Sequence, residues 1–221
     1  MNLDEILEDI KAGKLNSLSF ETISKYSKDY LNRKLIKHQI YYKKKITPWG
    51  DDPKVEFEHL KELNRIDPNH IAKPYAIVRD KYKSHGYMME YVKDKPLIYY
   101  INMFQIGKLK LSDYQGIYMI LNDLINVTFN MHRNGVYHGD IHDENIIVDM
   151  KNLTFKLIDP LNSRDGRDPK IDDLKSIEFI IRSFYDPNKL FLYKSDEYKR
   201  VMENIGQLFN KLVTSYVVVY K

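Results

Sequence analysis

The sequence predicts an α+β fold in two lobes, a small β-rich N-terminal lobe over residues 1–92 and a reduced, mainly helical C-terminal lobe over residues 93–221. Three observations carry this expectation. Apolar residues recur at helical spacing near the start of the chain (Leu3, Ile6, Leu7, Ile10) and again at Ile117, Ile120, Leu121, Leu124 and Met131, at Leu174, Ile177, Ile181 and Phe184, and at Val201, Ile205, Leu208 and Leu212. Strand-like runs occupy 40–46, 75–79 and 87–91, the last two joined by a polar turn ending His85-Gly86. Two further short apolar runs, 146–148 and 155–158, lie among aspartates and an asparagine.

Composition bounds what such a chain can be. With 221 residues and 43% hydrophobic content it can bury one sizeable core, or two small lobes sharing a cleft. No apolar run is long enough to span a bilayer, and Asp4, Glu5, Glu8 and Asp9 stand where a signal peptide would carry basic residues. A soluble, cytoplasmic protein with no membrane span is expected. The absence of cysteine excludes disulfides, thiolate chemistry and cysteine-based zinc sites. A net charge of +4, from 35 basic and 31 acidic residues, describes a mixed solvated surface that suits an anionic partner without requiring one, and nucleic acid is not indicated.

In chain order, Gly13 stops the first amphipathic helix, which is expected to pack on the N-terminal lobe. The stretch 17–46, rich in Tyr, Ile, Leu and Lys, reads as that lobe's sheet, with Ile40, Tyr42, Lys44 and Ile46 on one strand face. Asp52-Pro53 is a helix start, an acidic cap followed by proline at the first position. Glu56, Leu60 and Leu63 then share one face. Ser112 with Gln115 is a candidate capping box for the long helix that follows, and Asn134-Gly135 its left-handed stop. Pro187 ends the 174–184 helix. The apolar end, residues 216–220, is expected to pack on the large lobe, the alternative being a strand that pairs with a partner.

The chemistry is concentrated in 136–149 and 155–159. Asp140 precedes Asn145 by five positions, and Asp159 closes the second apolar run, so two short strands bring three oxygen-bearing side chains to one place. Phosphoryl transfer from a metal nucleotide needs such a set. One carboxylate orients the attacking hydroxyl and accepts its proton, while a carboxamide and a second carboxylate hold magnesium against the phosphates. His132, His138 and His142 do not have a zinc-ligand spacing, and the carboxylate and carboxamide suit magnesium better. His138 is expected to order the loop backbone.

This segment, His138-Gly139-Asp140 through Asn145, resembles the catalytic loop of the protein-kinase-like superfamily in its His-Gly-Asp form, as in aminoglycoside phosphotransferases, lipopolysaccharide core kinases and the small kinase of the KEOPS complex. The resemblance covers roughly residues 36–185. It implies a bilobal kinase-like fold binding ATP and magnesium, with Asp140 the catalytic base, Asn145 a metal ligand, and Asp159 the metal-binding aspartate. Here Asp159 is followed by Pro160 and Leu161 rather than Phe-Gly, and Pro160 donates no amide hydrogen. The 40–46 run resembles the kinase strand ending Lys-Lys-Ile, which implies Lys44, within one residue of register, as the phosphate-contacting lysine. Glu56 or Glu58 is then its glutamate partner. Met88-Met89-Glu90-Tyr91-Val92 resembles the hinge, with Met89 beside the adenine and the backbone of Glu90 and Val92 bonding it. Asp173 takes the place of the aspartate that braces the loop.

Two features depart from the family. No glycine lies between Gly13 and Gly50, where a phosphate-covering loop is expected. Only residues 160–172 separate Asp159 from Asp173, too few for a long activation segment with a peptide-docking platform. The resemblance implies an ATP-dependent phosphotransferase acting on a hydroxyl, first as a small atypical Ser/Thr protein kinase. The alternatives are a kinase of a sugar, aminoglycoside or lipid-core sugar, and a nucleotide-binding pseudokinase that works through a protein partner.

Overall fold

A computed structural model of the chain describes residues 2–44, 52–161, 168–185 and 195–219. It is a mixed α+β structure that divides into two compact units, residues 1–93 and 94–221.

The first unit comprises α1 (Leu3–Lys11), β1 (Ser17–Ser19), α2 (Phe20–Ser24), α3 (Lys28–Lys37), β2 (Ile40–Lys44), α4 (Pro53–Ile66), β3 (Pro74–Arg79) and β4 (Ser84–Glu90). Helix α1 starts at a capping box in which Asn2 Oδ1 accepts from the Glu5 amide at 2.9 Å and Glu5 Oε2 from the Asn2 amide at 2.8 Å. All four residues of its expected stripe, Leu3, Ile6, Leu7 and Ile10, are buried. The stretch read as that lobe's sheet supplies β1 and β2 at its ends, and the residues between them fold mostly as helix. Ser27 caps α3 by accepting from the Tyr30 amide, and Leu31 and Leu35, one turn apart, bury against α1 and the sheet. Lys45 and Ile46 of the expected strand lie outside the described residues.

The sheet runs in the order β1-β3-β4-β2, with β1 parallel to β3 and the other pairs antiparallel. Strand alternation divides its residues between two coverings. Ile40, Ala76, Val78 and Met88 join the core built with α1 and α3, and Tyr42 packs partly buried against it. Burial pushes the Tyr42 hydroxyl up to about 12. The opposite face carries Lys43 and Tyr87 toward α4, where Phe57 lies 6.0 Å from the Tyr87 ring. The turn expected at His85-Gly86 is absorbed into β4. Gly86 pairs with Lys44, and a Cβ there would run into the Lys43 carbonyl and the Tyr42 ring.

The second unit comprises β5 (Lys95–Pro96), α5 (Leu97–Gln105), α6 (Leu111–Arg133), β6 (Ile146–Asp149), β7 (Thr154–Leu157), α7 (Pro169–Phe184) and α8 (Asp196–Val219). Its core gathers the predicted stripes of α6, α7 and α8, including Ile117, Leu124, Ile177, Phe184, Ile205 and Leu212. Helix α6 begins one residue before the expected cap, and the carboxylate that closes its first turn is Asp113, which accepts from the Lys110 amide at 3.1 Å. Asp168 caps α7, accepting from the Lys170 amide at 3.0 Å ahead of Pro169. Pro187 lies outside the described residues. The chain end is helical through Val219, so the strand alternative for residues 216–219 does not form. Strands β5, β6 and β7 make a small antiparallel sheet beside the polar loop. Among the described residues no helix is long and apolar enough to cross a membrane.

Candidate functional site

The second unit positions the polar loop through the end of α6. The helix stops where Gly135 adopts φ +74°, its amide bonding the His132 carbonyl at 3.0 Å and the Val136 amide the Met131 carbonyl at 3.1 Å. The loop that follows is clamped by one carboxylate. Asp173, fully buried in the first turns of α7, accepts from the His138 amide at 2.9 Å through Oδ2 and from the Gly139 amide at 2.9 Å through Oδ1. His132 of α6 adds a third contact, its Nε2 lying 3.1 Å from Asp173 Oδ2, with both side chains sealed from solvent. A buried carboxylate is stable when every available lone pair meets a donor, and here the donors come from α6 and the loop together. The bracing role expected of Asp173 is matched by this geometry.

Gly139 shows why the motif carries glycine. Its φ is +76°, and a Cβ would be driven into the carbonyl oxygen of Leu161. The approach is close because the Leu161 amide donates to the His138 carbonyl at 3.0 Å. On the other side of Asp159, the Ile158 amide donates to the Asn145 carbonyl, also at 3.0 Å. Asp159 is thereby held between two backbone bonds to the same loop. It sits at φ +56°, a left-handed conformation costing a non-glycine residue about 1–2 kcal/mol. Such strain persists only where the surroundings over-determine it, and it concentrates at working sites. Pro160, buried and without an amide hydrogen, completes the turn and leaves the bond to His138 to Leu161.

Asn145 is buried at 7% exposure and donates from Nδ2 to both the Asp140 carbonyl (3.1 Å) and Asp140 Oδ2 (3.2 Å). With the amide nitrogen committed to Asp140, the carboxamide oxygen is directed elsewhere and can serve as a metal donor. The Asp140 side chain is 16% exposed, and His142 Nε2 lies 3.6 Å from its Oδ2. The Glu144 amide donates to His142 Nδ1 at 3.3 Å, which places the proton of the neutral ring on Nε2, facing Asp140.

Among the described residues no three His, Cys, Asp or Glu side chains converge as a metal cage. That is compatible with magnesium, which is commonly held by one or two protein oxygens while phosphates and water complete its octahedron. The Asn145 carboxamide and the Asp159 carboxylate are hard oxygen donors of this kind. The residues present fit the ion.

In the first unit, the glutamate left open by the sequence is Glu56. It is 8% exposed in the first turns of α4, and its Oε2 lies 3.2 Å from Lys43 Nζ. Glu58 is exposed and pairs with Lys61. Among the described residues the lysine seen paired with Glu56 is Lys43, one position before the expected Lys44. Lys43 falls on the α4 face of β2, opposite Ile40 and Tyr42, and its ammonium also lies 5.9 Å from the Tyr87 ring centre. Tyr42 belongs to the core shared with α1 and α3. The Lys44 backbone pairs with Gly86, and its side chain lies outside the described residues. Met89 is 2% exposed in β4. The Glu90 amide donates to the Lys73 carbonyl at 2.8 Å and its side chain accepts from the Lys73 amide at 3.1 Å. Val92, half-buried, follows the end of β4.

Two residues, one in each unit, make contacts that the sequence reading did not assign to them. His132, the partner of Asp173, was set aside with the other histidines, although its place on the stripe side of α6 next to Met131 marked it as inward-facing. Lys43 was separated from Lys44 only by strand register, which three consecutive lysines do not reveal. No protein-family model and no curated protein sequence matches the chain.

Proposed function

We propose that the protein transfers the γ-phosphoryl group of ATP to an acceptor hydroxyl, with a kinase-like fold as the scaffold. The observation that carries this reading is the joint immobilisation of Asp140, Asn145 and Asp159. The first two are hydrogen-bonded to each other, the third is bonded on both flanks to their loop, and the loop itself is clamped by Asp173. A turn formed for structure alone needs no buried carboxylate bonded to two consecutive amides.

In this reading the acceptor oxygen attacks the γ-phosphorus as its proton passes to the Asp140 carboxylate, and the bond to the bridging oxygen breaks with its electron pair leaving on ADP. The Asn145 bond holds the Asp140 carboxylate in one orientation, which keeps the base aimed at the acceptor. Magnesium held by Asn145 and Asp159 supplies charge neutralisation and alignment of the phosphates. Lys43, fixed by Glu56, supplies the phosphate contact first assigned to Lys44. Met89 and the backbone of Glu90 and Val92 receive the adenine.

The interval without glycine holds α2 and α3 where a phosphate-covering loop was expected, so phosphate binding rests on side-chain charge. Asp159→Asn tests the assignment. It removes one carboxylate from the metal site while preserving shape, and calorimetry with magnesium-ATP should record at least about a tenfold weaker affinity, roughly one charge-assisted contact. Equal affinities in wild type and variant would remove Asp159 from the site.

A further inference from the structure

One ring of the 138–145 loop has contacts on both of its nitrogens that the transfer step described above does not use. The His142 side chain, 39% exposed, lines with Asp140 the opening of about 350 Å³ between the loop and α7. Its Nδ1 accepts from the Glu144 amide at 3.3 Å and lies 3.9 Å from Asp143 Oδ1. Its Nε2 lies 3.6 Å from Asp140 Oδ2, the oxygen that Asn145 Nδ2 also approaches, at 3.2 Å. Folding of the loop alone does not call for an imidazole. The His142 carbonyl that receives the Asn145 amide at 3.0 Å is backbone, which any residue supplies, and an asparagine side chain would accept from the Glu144 amide equally well. A neutral histidine adds something neither provides: an acceptor at one ring nitrogen and a donor at the other, the first fixing the second.

We propose that His142 is a positioning residue for phosphoryl transfer, its Nε2–H acting with Asn145 Nδ2 to fix the plane of the Asp140 carboxylate, an inference that rests on the phosphotransfer reading above. The terminal torsion of an aspartate is broad and roughly two-fold, so a single donor leaves the carboxylate room to turn. Donors from two residues on one oxygen restrict it. The separation of 3.6 Å is just beyond a hydrogen bond, and contacts of this kind are often long in sites without substrate and tighten when the complex forms. Orientation matters because a misplacement of about 1 Å at a reacting group can cost about 100-fold in rate. In this role His142 acts through Asp140 alone, so it governs the rate of transfer and leaves nucleotide affinity untouched.

Two amide side chains divide the functions of the ring between them. His142→Gln carries a donor nitrogen at the reach of Nε2 and keeps the contact to Asp140, whereas His142→Asn carries an oxygen at the place of Nδ1 and keeps only the bond from the Glu144 amide. Both retain the backbone bond to Asn145. Turnover of the full chain is read as ADP release from magnesium-ATP, which counts transfer to water and to the chain's own hydroxyls, and magnesium-ATP affinity by calorimetry. The kcat of His142→Gln should exceed that of His142→Asn by about tenfold, the scale of one hydrogen bond to a charged group, with the same KM and affinity for magnesium-ATP. In an Asp140→Asn background the two should turn over equally, because the carboxylate they differ in holding is gone. Equal kcat values for the single variants, a faster His142→Asn, or a difference that persists in the Asp140→Asn background would overturn the positioning role and leave phosphotransfer standing. A wild-type protein that binds magnesium-ATP and releases no ADP would overturn phosphotransfer, and the role of His142 with it.

Discussion

Replacing Asp173 by alanine removes the clamp of the 138–145 loop in one step. The carboxylate accepts from two consecutive backbone amides at 2.9 Å and contacts His132 Nε2 at 3.1 Å, at zero exposure. Each buried donor left without an acceptor costs about 1–3 kcal/mol. The amides of His138 and Gly139 alone therefore predict a loss of about 2–6 kcal/mol, a large share of the roughly 5–15 kcal/mol that holds a typical domain. Urea unfolding of wild type and variant, followed by circular dichroism, measures the difference. Asp173→Asn, which keeps one acceptor oxygen, should fall between the two. A loss under about 1 kcal/mol for Asp173→Ala would mean that water or a neighbour replaces the carboxylate at small cost, and the clamp would not be what fixes Asp140.

Two other outcomes follow from particular contacts. Lys43→Ala should reduce turnover by about tenfold or more while Lys44→Ala changes it less, because Lys43 pairs with Glu56 on the α4 face of β2; the reverse order would place the phosphate contact on the other strand face. The Asp80 carboxyl is held down at about 2, against an ordinary 3.8, first by His85 and then by the Tyr82 and Lys83 amides. Its folded value lies below its unfolded one, so its contribution to stability is present above about pH 4 and is lost as the pH falls toward 2. Asp80→Asn should lack that part of the acid dependence, and identical acid-unfolding profiles for the two proteins would remove the assigned interaction.

The elements that could be read from the chain were those where one local rule decides. Leu3, Ile6, Leu7 and Ile10 could satisfy only a helical period, and Asp52-Pro53 is a start whose side chain accepts from the Lys54 amide at 2.9 Å as a cap should. The α6 cap was misplaced because Ser112 and Gln115 fit the capping pattern, but Asp113 reached the chain amide first. Residues 20–37, between two stretches that do join the sheet, were misread for a different reason. Their tyrosines and isoleucines favour strands, yet Leu31 and Leu35 gain more from burial against α1, so packing overrides propensity. Around the site, the spacing of Asp140, Asn145 and Asp159 was legible, and Asp173 too. What joins them was not, since the bonds from Leu161 to His138 and from Ile158 to Asn145 link segments whose pairing no periodicity records.

The most direct test of phosphoryl transfer is a paired measurement on Asp140→Asn. The substitution keeps the shape of the side chain and removes the proton acceptor, a change that costs about 100-fold or more when the group is a general base. Magnesium-ATP affinity is measured by calorimetry, and transfer to acceptor or to the protein itself by mass spectrometry, at equal concentrations of wild type and variant. The account predicts nearly unchanged nucleotide affinity with transfer reduced by at least that factor. Undiminished transfer by Asp140→Asn would contradict it, as would a wild-type protein that binds magnesium-ATP tightly and transfers no phosphate at all.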